Sequence, residues 1–274
     1  MIPVSLPDIL SLFEYQFFQY AILGGVISSL AVSITGLFLI LKREAMIGDG
    51  IAHVAFGGVA LGLLLGVNPL ITALIISILA VLGVSYMRRK GIARSDSAIA
   101  LMLALGFSTG LIIISMTGGF NVDLLSYLFG SILTIDQNDM IIIILLSIMV
   151  ISFITIFHKE LLSITFDEQS AAITGIPVRP LSFIFNILVA FTITLSIKII
   201  GVILVVALMV LPGLTALQFK YSFKGTMITT VLLAVISIVM GILLSAVYNV
   251  AASGVIVFTS ASAFLLSALY RRLK

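Results

Sequence analysis

Long runs of apolar residues, separated by short polar or basic segments, dominate the chain. Nine of these runs approach the ~20 residues that a helix needs to cross a bilayer. They lie at about 17–41, 45–66, 69–87, 98–117, 139–157, 181–197, 201–219, 226–247 and 254–270. Blocks of Ile, Leu and Val without strict alternation are typical of helices and not of the strands of a membrane barrel. The pattern therefore predicts an all-α integral membrane protein, a polytopic bundle of about nine transmembrane helices.

Composition supports the same fold class. Of the 274 residues 61% are hydrophobic and 9% are charged, whereas a typical soluble domain carries about 25% charged residues. Because no polar stretch is long enough for a soluble domain, we expect a single transmembrane domain over 1–274. Residues 1–16 carry two acids and no base, unlike a cleavable signal peptide, and are expected to form an outer or interfacial segment. The absence of cysteine excludes disulfides and thiolate metal sites.

The basic residues are distributed unevenly between the two ends of the predicted spans. Of the 14 Lys and Arg residues, all but Lys198 fall in loops or termini on one side. By the positive-inside rule that side is cytoplasmic, which predicts an outer amino terminus and a cytoplasmic carboxyl terminus. Lys198 is expected to snorkel to the outer headgroups, and it is also a candidate for an outer gate.

Two loops differ from simple connectors. The outer segment GGFNVDLLSYLFG (118–130) is too apolar for a free loop, so we expect a re-entrant or interfacial piece that packs on the bundle. The inner segment 158–180 is the longest polar stretch, and within it DEQSAAIT predicts a short helix ended by Gly175, with Pro177 and Pro180 restarting the chain. Such a helix is either a cytoplasmic docking element or an ordinary connector.

One carboxylate and one imidazole lie four residues apart in a predicted membrane helix, within EAMIGDGIAHVAFGG. At this spacing Asp49 and His53 share one helix face, and together they suit a divalent cation such as zinc, manganese or iron(II). The same spacing fits a hydrogen bond that neutralises both groups. A third interpretation has Asp49 capping the helix while His53 packs in the core. The residues alone leave these three alternatives open.

Other local signals concern packing and excluded chemistry. Gly58, Gly62 and Gly66 form a small-residue stripe that favours close helix contact. Pro212 lies inside the seventh predicted span and predicts a kink in that helix. GFSTG matches the G-x-S-x-G nucleophile elbow, but Ser108 falls inside a predicted helix, which disfavours an intramembrane protease. Since the chain has no P-loop motif, any ATP hydrolysis requires a separate subunit.

The chain resembles the permease subunits of zinc- and manganese-type metal-ion ABC importers over about residues 17–270. The most specific stretches are GDGIAHVAFGGVALGLLLG (48–66), DLLSYLFGSIL (123–133) and the segment 166–216 that begins FDEQSAAITG. The resemblance implies the vitamin B12-type permease fold, in a prokaryotic inner membrane. It also implies as partners a second copy of the chain, cytosolic ABC ATPases and an extracytoplasmic metal-binding protein, with no nucleic acid. Zinc or manganese would be transported cargo, and no permanently bound cofactor is expected.

The resemblance also assigns individual residues. The family's G-D-x-x-x-H motif places Asp49 and His53 in the metal path, and its coupling region falls on Asp167, Glu168, Ala171, Ala172 and Gly175. The chain departs from the family's pattern at three positions, Ala52, Gly57 and Asn249. Asn249 stands nearest to an Asp of many relatives and is, with Lys198, a candidate for the outer path. The alternatives within transport are a siderophore, haem or cobalamin permease, which needs a wide path without ionic ligands, and a gradient-driven secondary transporter.

Overall fold

The computed structural model describes residues 13–117, 122–130, 137–248 and 250–273. Twelve helices and no strand are found in these ranges. The helices are α1 (Gln16–Leu41), α2 (Met46–Leu65), α3 (Pro69–Arg89), α4 (Ser95–Met116), α5 (Val122–Phe129), α6 (Gln137–Ile156), α7 (His158–Phe166), α8 (Glu168–Ile173), α9 (Val178–Ile200), α10 (Val202–Gln218), α11 (Phe223–Tyr248) and α12 (Ala252–Leu273). Most of the expected interfacial segment 1–16 lies outside the described residues, as does Asn249.

All nine predicted spans correspond to helices, and the prediction of an all-helical membrane bundle is confirmed. Eight helices in the described part of the chain, α1 to α4, α6, α9, α11 and α12, are long and apolar enough to cross a membrane. The ninth, α10, has 17 residues and contains Pro212 as predicted. The predicted span 181–197 extends to Val178–Ile200, because Pro180 sits in the first turn, where its missing N–H leaves no helix bond unmade.

Helices α1, α2 and α9 form the centre of the bundle. About two thirds or more of the apolar window of each is buried, against a third or less for α3, α4, α6, α11 and α12. The peripheral helices expose apolar side chains such as Leu105, Ile148 and Leu266. In a chain that spans a bilayer these side chains face lipid, which satisfies them as well as a protein core would.

Helix α2 approaches α3 closely through two of the three glycines in the predicted stripe. A Cβ atom on Gly58 would lie 2.5 Å from Ala73 Cα, and one on Gly62 would lie 2.7 Å from Pro69 Cα. Neither position has room for a larger residue. Gly66 is different, because it ends α2 in the left-handed region at φ 66° and has no neighbour near its missing Cβ. The packing interpretation is thus confirmed for Gly58 and Gly62 and is wrong for Gly66, which acts as a helix cap.

The described part of the apolar outer segment packs on the bundle, as expected. Its residues 122–129 form α5, which contacts α2, α9 and α10. Gly130, at φ 73°, follows α5 and lies against the turn between α9 and α10, where Gly201 has φ 88°. A Cβ on Gly130 would lie 2.5 Å from the carbonyl oxygen of Ile199. The two backbones therefore meet directly, an arrangement that requires glycine.

Candidate metal site on helix α2

The central part of helix α2, residues 47–60, buries all of its side chains but two. From Ile47 to Ala60 every residue is buried except Asp49 and His53, whose side chains are 36% and 27% exposed. Within residues 47–60, α2 is thus exposed only at its two ionisable groups. Exposure of a carboxylate and an imidazole to lipid would be costly, so we expect a polar path or another protein surface to cover this face.

The distance between the two groups fits a shared cation better than a hydrogen bond. Nε2 of His53 lies 3.6 Å from Oδ1 of Asp49, beyond the 2.7–3.2 Å that is usual for a hydrogen bond. With bonds of about 2.1 Å to a common metal ion, the same separation corresponds to a ligand–metal–ligand angle of about 120°. Asp49 does not cap α2 either, since the N-cap is Ala45 and has no side-chain cap bond.

One chain supplies too few donors for a closed coordination sphere. Within the described ranges, no three His, Cys, Asp or Glu side chains lie close enough together to hold one metal ion. Water, backbone carbonyls or a second protein chain must therefore complete the coordination. An incomplete site suits a transported ion, which must leave again.

Phe107 is a neighbour of this site that the sequence did not reveal. Its ring meets the His53 imidazole edge to face, with centroids 5.2 Å apart and an interplanar angle of 88°. The same ring contacts Phe56 at 5.8 Å. His53 Nδ1 is buried without a hydrogen-bond partner in the part of the chain described. The aromatic contact is therefore the interaction that orients this imidazole on its α4 side.

Two glycines of GFSTG bring α4 against α2 and so place Phe107. A Cβ on Gly106 would lie 2.6 Å from Val54 Cα, and one on Gly110 would lie 2.7 Å from the Phe56 ring. A Cβ on Gly57 would lie 2.7 Å from the carbonyl oxygen of Gly106, so the contact of the two helices leaves no room for a side chain there. The hydroxyl of Ser108 donates to the Leu105 carbonyl of its own helix. The segment is thus a helix-packing motif, and the expectation that it is no nucleophile elbow is confirmed.

The predicted short helix of the inner loop is present as α8. Asp167 is its N-cap, and its Oδ1 accepts hydrogen bonds from the backbone N–H groups of Gln169 and Ser170. The Ser170 hydroxyl donates to Oδ2 at 2.6 Å. These bonds, the Ser170 hydroxyl first among them, hold the pKa of Asp167 below its ordinary value. Gly175 ends the element in the left-handed region at φ 86°.

The candidate coupling residues divide into an anchored and an exposed set. Ala171 is buried with Ile164, Val178 and Leu181 and fixes α8 to the bundle. Glu168, Ala172 and Gly175 are exposed. Two large apolar side chains flank them, Phe166 at 74% and Ile173 at 86% exposed. Neither side chain was predicted to contribute to the coupling surface, although two large apolar residues in the most polar loop of the chain are a usable signal.

Lys198 does not snorkel freely, so that expectation is wrong. Its ammonium forms an ion pair with the carboxylate of Asp139 at the start of α6, and the two side chains are 17% and 11% exposed. Two partly buried opposite charges neutralise each other, which removes the need for Lys198 to reach the headgroups. The pair ties the carboxyl-terminal end of α9 to α6 and involves neither Asp49 nor His53.

The profile of the ABC 3 transport family matches residues 14–271. The high-affinity zinc uptake system membrane protein ZnuB of Haemophilus influenzae is 32% identical over 252 residues, covering 92% of this chain and 96% of the relative. The manganese import system permease protein ScaB of Streptococcus gordonii is 33% identical over 256 residues, 93% of this chain and 92% of the relative.

Solved structures show the same similarity. The structure described as PsaBC from Streptococcus pneumoniae in complex with Fab matches with a TM-score of 0.86 and 30% identity, covering 96% of this chain and 95% of that one. An inward-facing conformation of a metal-chelate type ABC transporter matches with a TM-score of 0.71, over 92% of this chain and 85% of that one. At 14% identity the second match shows a shared fold alone.

Proposed function

The chain belongs to the ABC 3 transport family, and from this premise we propose that it is the membrane permease subunit of an ATP-driven importer of manganese or zinc. Two relatives support the proposal, because their names describe zinc uptake and manganese import. The observation that carries it is the partial exposure of Asp49 and His53 within the otherwise buried stretch 47–60 of α2. Both metals accept carboxylate and imidazole ligands, so the pair serves either.

The exposed face of this pair supports a dimer with a central path. Each chain offers two ligands, and a second copy facing the first across a two-fold axis brings another Asp49 and His53 to the same place. Four donors from two chains suffice for a tetrahedral ion, and exchange with water lets it leave. Burial between two copies also removes the cost of two charged groups in contact with lipid.

The energy for transport comes in this proposal from separate ATPase subunits that bind α8. Phe166 and Ile173 project from a loop on the same side as the basic residues, and large apolar side chains of this kind are typical anchors of a protein interface. Asp167 stiffens the helix between them. Movement of an ATPase against α8 is transmitted through buried Ala171 to the start of α9.

The side of the membrane follows from charge. We place the ends of α1, α3 and α9 that carry Lys42, Arg88 and Arg179 in the cytoplasm. The amino terminus is then outside and the carboxyl terminus inside. An extracytoplasmic metal-binding protein delivers the ion on the outer face, where α5 packs on the α9–α10 turn. Lys198 and Asn249 stay candidates for this outer path.

Uptake of labelled metals tests the proposal. The permease, its cognate ATPase and its binding protein are produced together in cells that lack their own manganese and zinc importers. We expect saturable, ATP-dependent uptake of one of the two ions, with the other competing. Uptake of neither metal, together with uptake of an iron–siderophore complex or cobalamin, would show instead that the chain is a permease for bulky chelates.

A further inference from the structure

An open cavity of about 630 Å³ lies where α3 ends and α9 begins, and neither Asp49 nor His53 lines it. Four bases line it, Lys42, Arg88, Arg89 and Arg179, against two acids, Glu44 and Glu168. Its size falls in the range of small-molecule sites. The net charge of its lining, +2, favours an anion over a departing metal cation.

Two of the four bases share one acidic partner within the cavity. Glu44 pairs with Lys42 at 3.4 Å and with Arg88 at 3.1 Å. Arg89 and Arg179 are exposed and have no ion-pair partner among residues 13–117, 122–130, 137–248 and 250–273. They come from different helices, α3 and α9, and both line the cavity. Two guanidinium groups so placed are suited to grip the oxygens of one phosphate.

Buried polar atoms line the same cavity without partners. Asn186 is 8% exposed, and its Oδ1 accepts no hydrogen bond from the described residues. The hydroxyl of Ser182, one helical turn away, is likewise buried and unpaired within them. Buried polar groups in folded proteins are almost always hydrogen-bonded. An acceptor and a hydroxyl left open beside two arginines indicate a ligand that carries hydroxyl groups as well as an anion.

Apolar side chains complete the lining. Leu82 and Phe183 lie beside the bases, and Phe183 is 38% exposed. Basic cavities between membrane helices at the cytoplasmic surface bind lipid headgroups. The apolar pair would contact the first carbons of the acyl chains, which free phosphate or a sugar phosphate lacks.

We propose that this cavity binds the phosphodiester headgroup of an anionic phospholipid with free hydroxyls, of the phosphatidylglycerol type. Arg89 and Arg179 hold the phosphate, and Asn186 and Ser182 bond the glycerol hydroxyls. A lipid bound here bridges the end of α3 and the start of α9, the helix that follows the candidate coupling loop. The bound lipid thereby becomes part of the structure that relays movement between α8 and the bundle.

The test measures the thermal unfolding midpoint of the full-length chain in detergent with added lipid. The probes are phosphatidylglycerol, phosphatidylcholine and glycerol 3-phosphate, applied to the wild type, to Arg89→Gln/Arg179→Gln and to Asn186→Leu. The control Lys220→Gln/Lys224→Gln removes the same charge from an exposed turn outside the cavity. Phosphatidylglycerol is expected to raise the midpoint of the wild type and of the control. The arginine variant should need about 25-fold more lipid for the same rise.

Other outcomes would overturn the proposal. Equal stabilisation by phosphatidylcholine, or an unchanged response of the arginine variant, would show that Arg89 and Arg179 bind no headgroup. Stabilisation by glycerol 3-phosphate alone would assign the cavity to a soluble phosphate ester. Loss of the copurifying ATPase from the arginine variant, with its lipid response intact, would make the cavity part of a protein interface. Asn186→Leu should weaken the phosphatidylglycerol response while leaving the midpoint without lipid near that of the wild type.

Discussion

Lys198 of α9 and Asp139 of α6 form an ion pair that is largely buried, although 59 positions separate them in the sequence. Removal of one partner leaves the other charge without its counterion in a poorly solvated place. We expect Lys198→Met to lower the free energy of unfolding by about 3 kcal/mol. Unfolding of the detergent-solubilised protein, followed by circular dichroism against denaturant, measures this loss.

A double-mutant cycle separates the pair from its surroundings. Asp139→Asn combined with Lys198→Met should cost less than the sum of the two single changes, because no unpaired charge is left. Strictly additive losses would mean that the two groups contribute independently, and the link between α6 and α9 would then have no energetic basis.

Gly106 and Gly83 form a matched pair of helical glycines for a test of helix packing. A Cβ on Gly106 would press on the backbone of Val54, whereas one on Gly83 meets nothing within 4 Å. Gly106→Ala should destabilise the protein by roughly 1–3 kcal/mol and also reduce metal uptake, since Phe107 would move away from His53. Gly83→Ala should be neutral or stabilise by up to about 1 kcal/mol. Equal effects of the two changes on the unfolding midpoint would contradict the close contact of α2 and α4.

The cap of α8 depends on the charge and the oxygens of Asp167. Asp167→Ala should fray the first turn of α8, while Asp167→Asn keeps an acceptor and should fray it less. Since folding lowers the pKa of Asp167, the stabilisation is present above the unfolded pKa and is lost as the pH falls through the folded one. Hydrogen exchange at the amides of Gln169 and Ser170 reports the cap. Identical exchange in wild type and Asp167→Ala would show that the cap is unimportant.

Ile173 is expected to anchor the ATPase. Its side chain is 86% exposed on the candidate coupling loop, and Ile92, at 63%, is a comparable side chain on another turn of the same side. Ile173→Ser should reduce recovery of the copurified ATPase at least tenfold, the loss typical of an interface hot spot. Ile92→Ser should leave recovery unchanged. The outcome against the account is equal recovery with both variants.

Much of the fold could be predicted from the sequence because hydropathy acts locally. Each span is a continuous apolar run, so its helix can be predicted without knowing which helices pack against it. The short helix α8 could be predicted because Asp167 and Gly175 bound it in the sequence. The spacing of Asp49 and His53 likewise placed both on one face. That these two side chains alone are exposed in the stretch 47–60 could not be predicted, because it depends on how the surrounding helices pack on α2.

What could not be predicted depends on contacts between distant segments. No local pattern shows that Lys198 meets Asp139, and a lone outer base resembles a snorkelling one until its partner is known. Phe107 reaches His53 only because Gly57 and Gly106 let two helices touch. Gly66 continues the spacing of the stripe, but it is the C-cap of α2 and a Cβ there would meet no neighbouring atom.

The central claim is that metal passes Asp49 and His53, and uptake by the assembled transporter tests it directly. Asp49→Asn/His53→Ala should reduce labelled manganese and zinc uptake to background while the ATPase still copurifies. The control Asp96→Asn/His158→Ala makes the same chemical changes at an exposed acid and at the other histidine, outside the site, and should retain uptake. Uptake at the wild-type rate by the Asp49→Asn/His53→Ala variant would contradict the account.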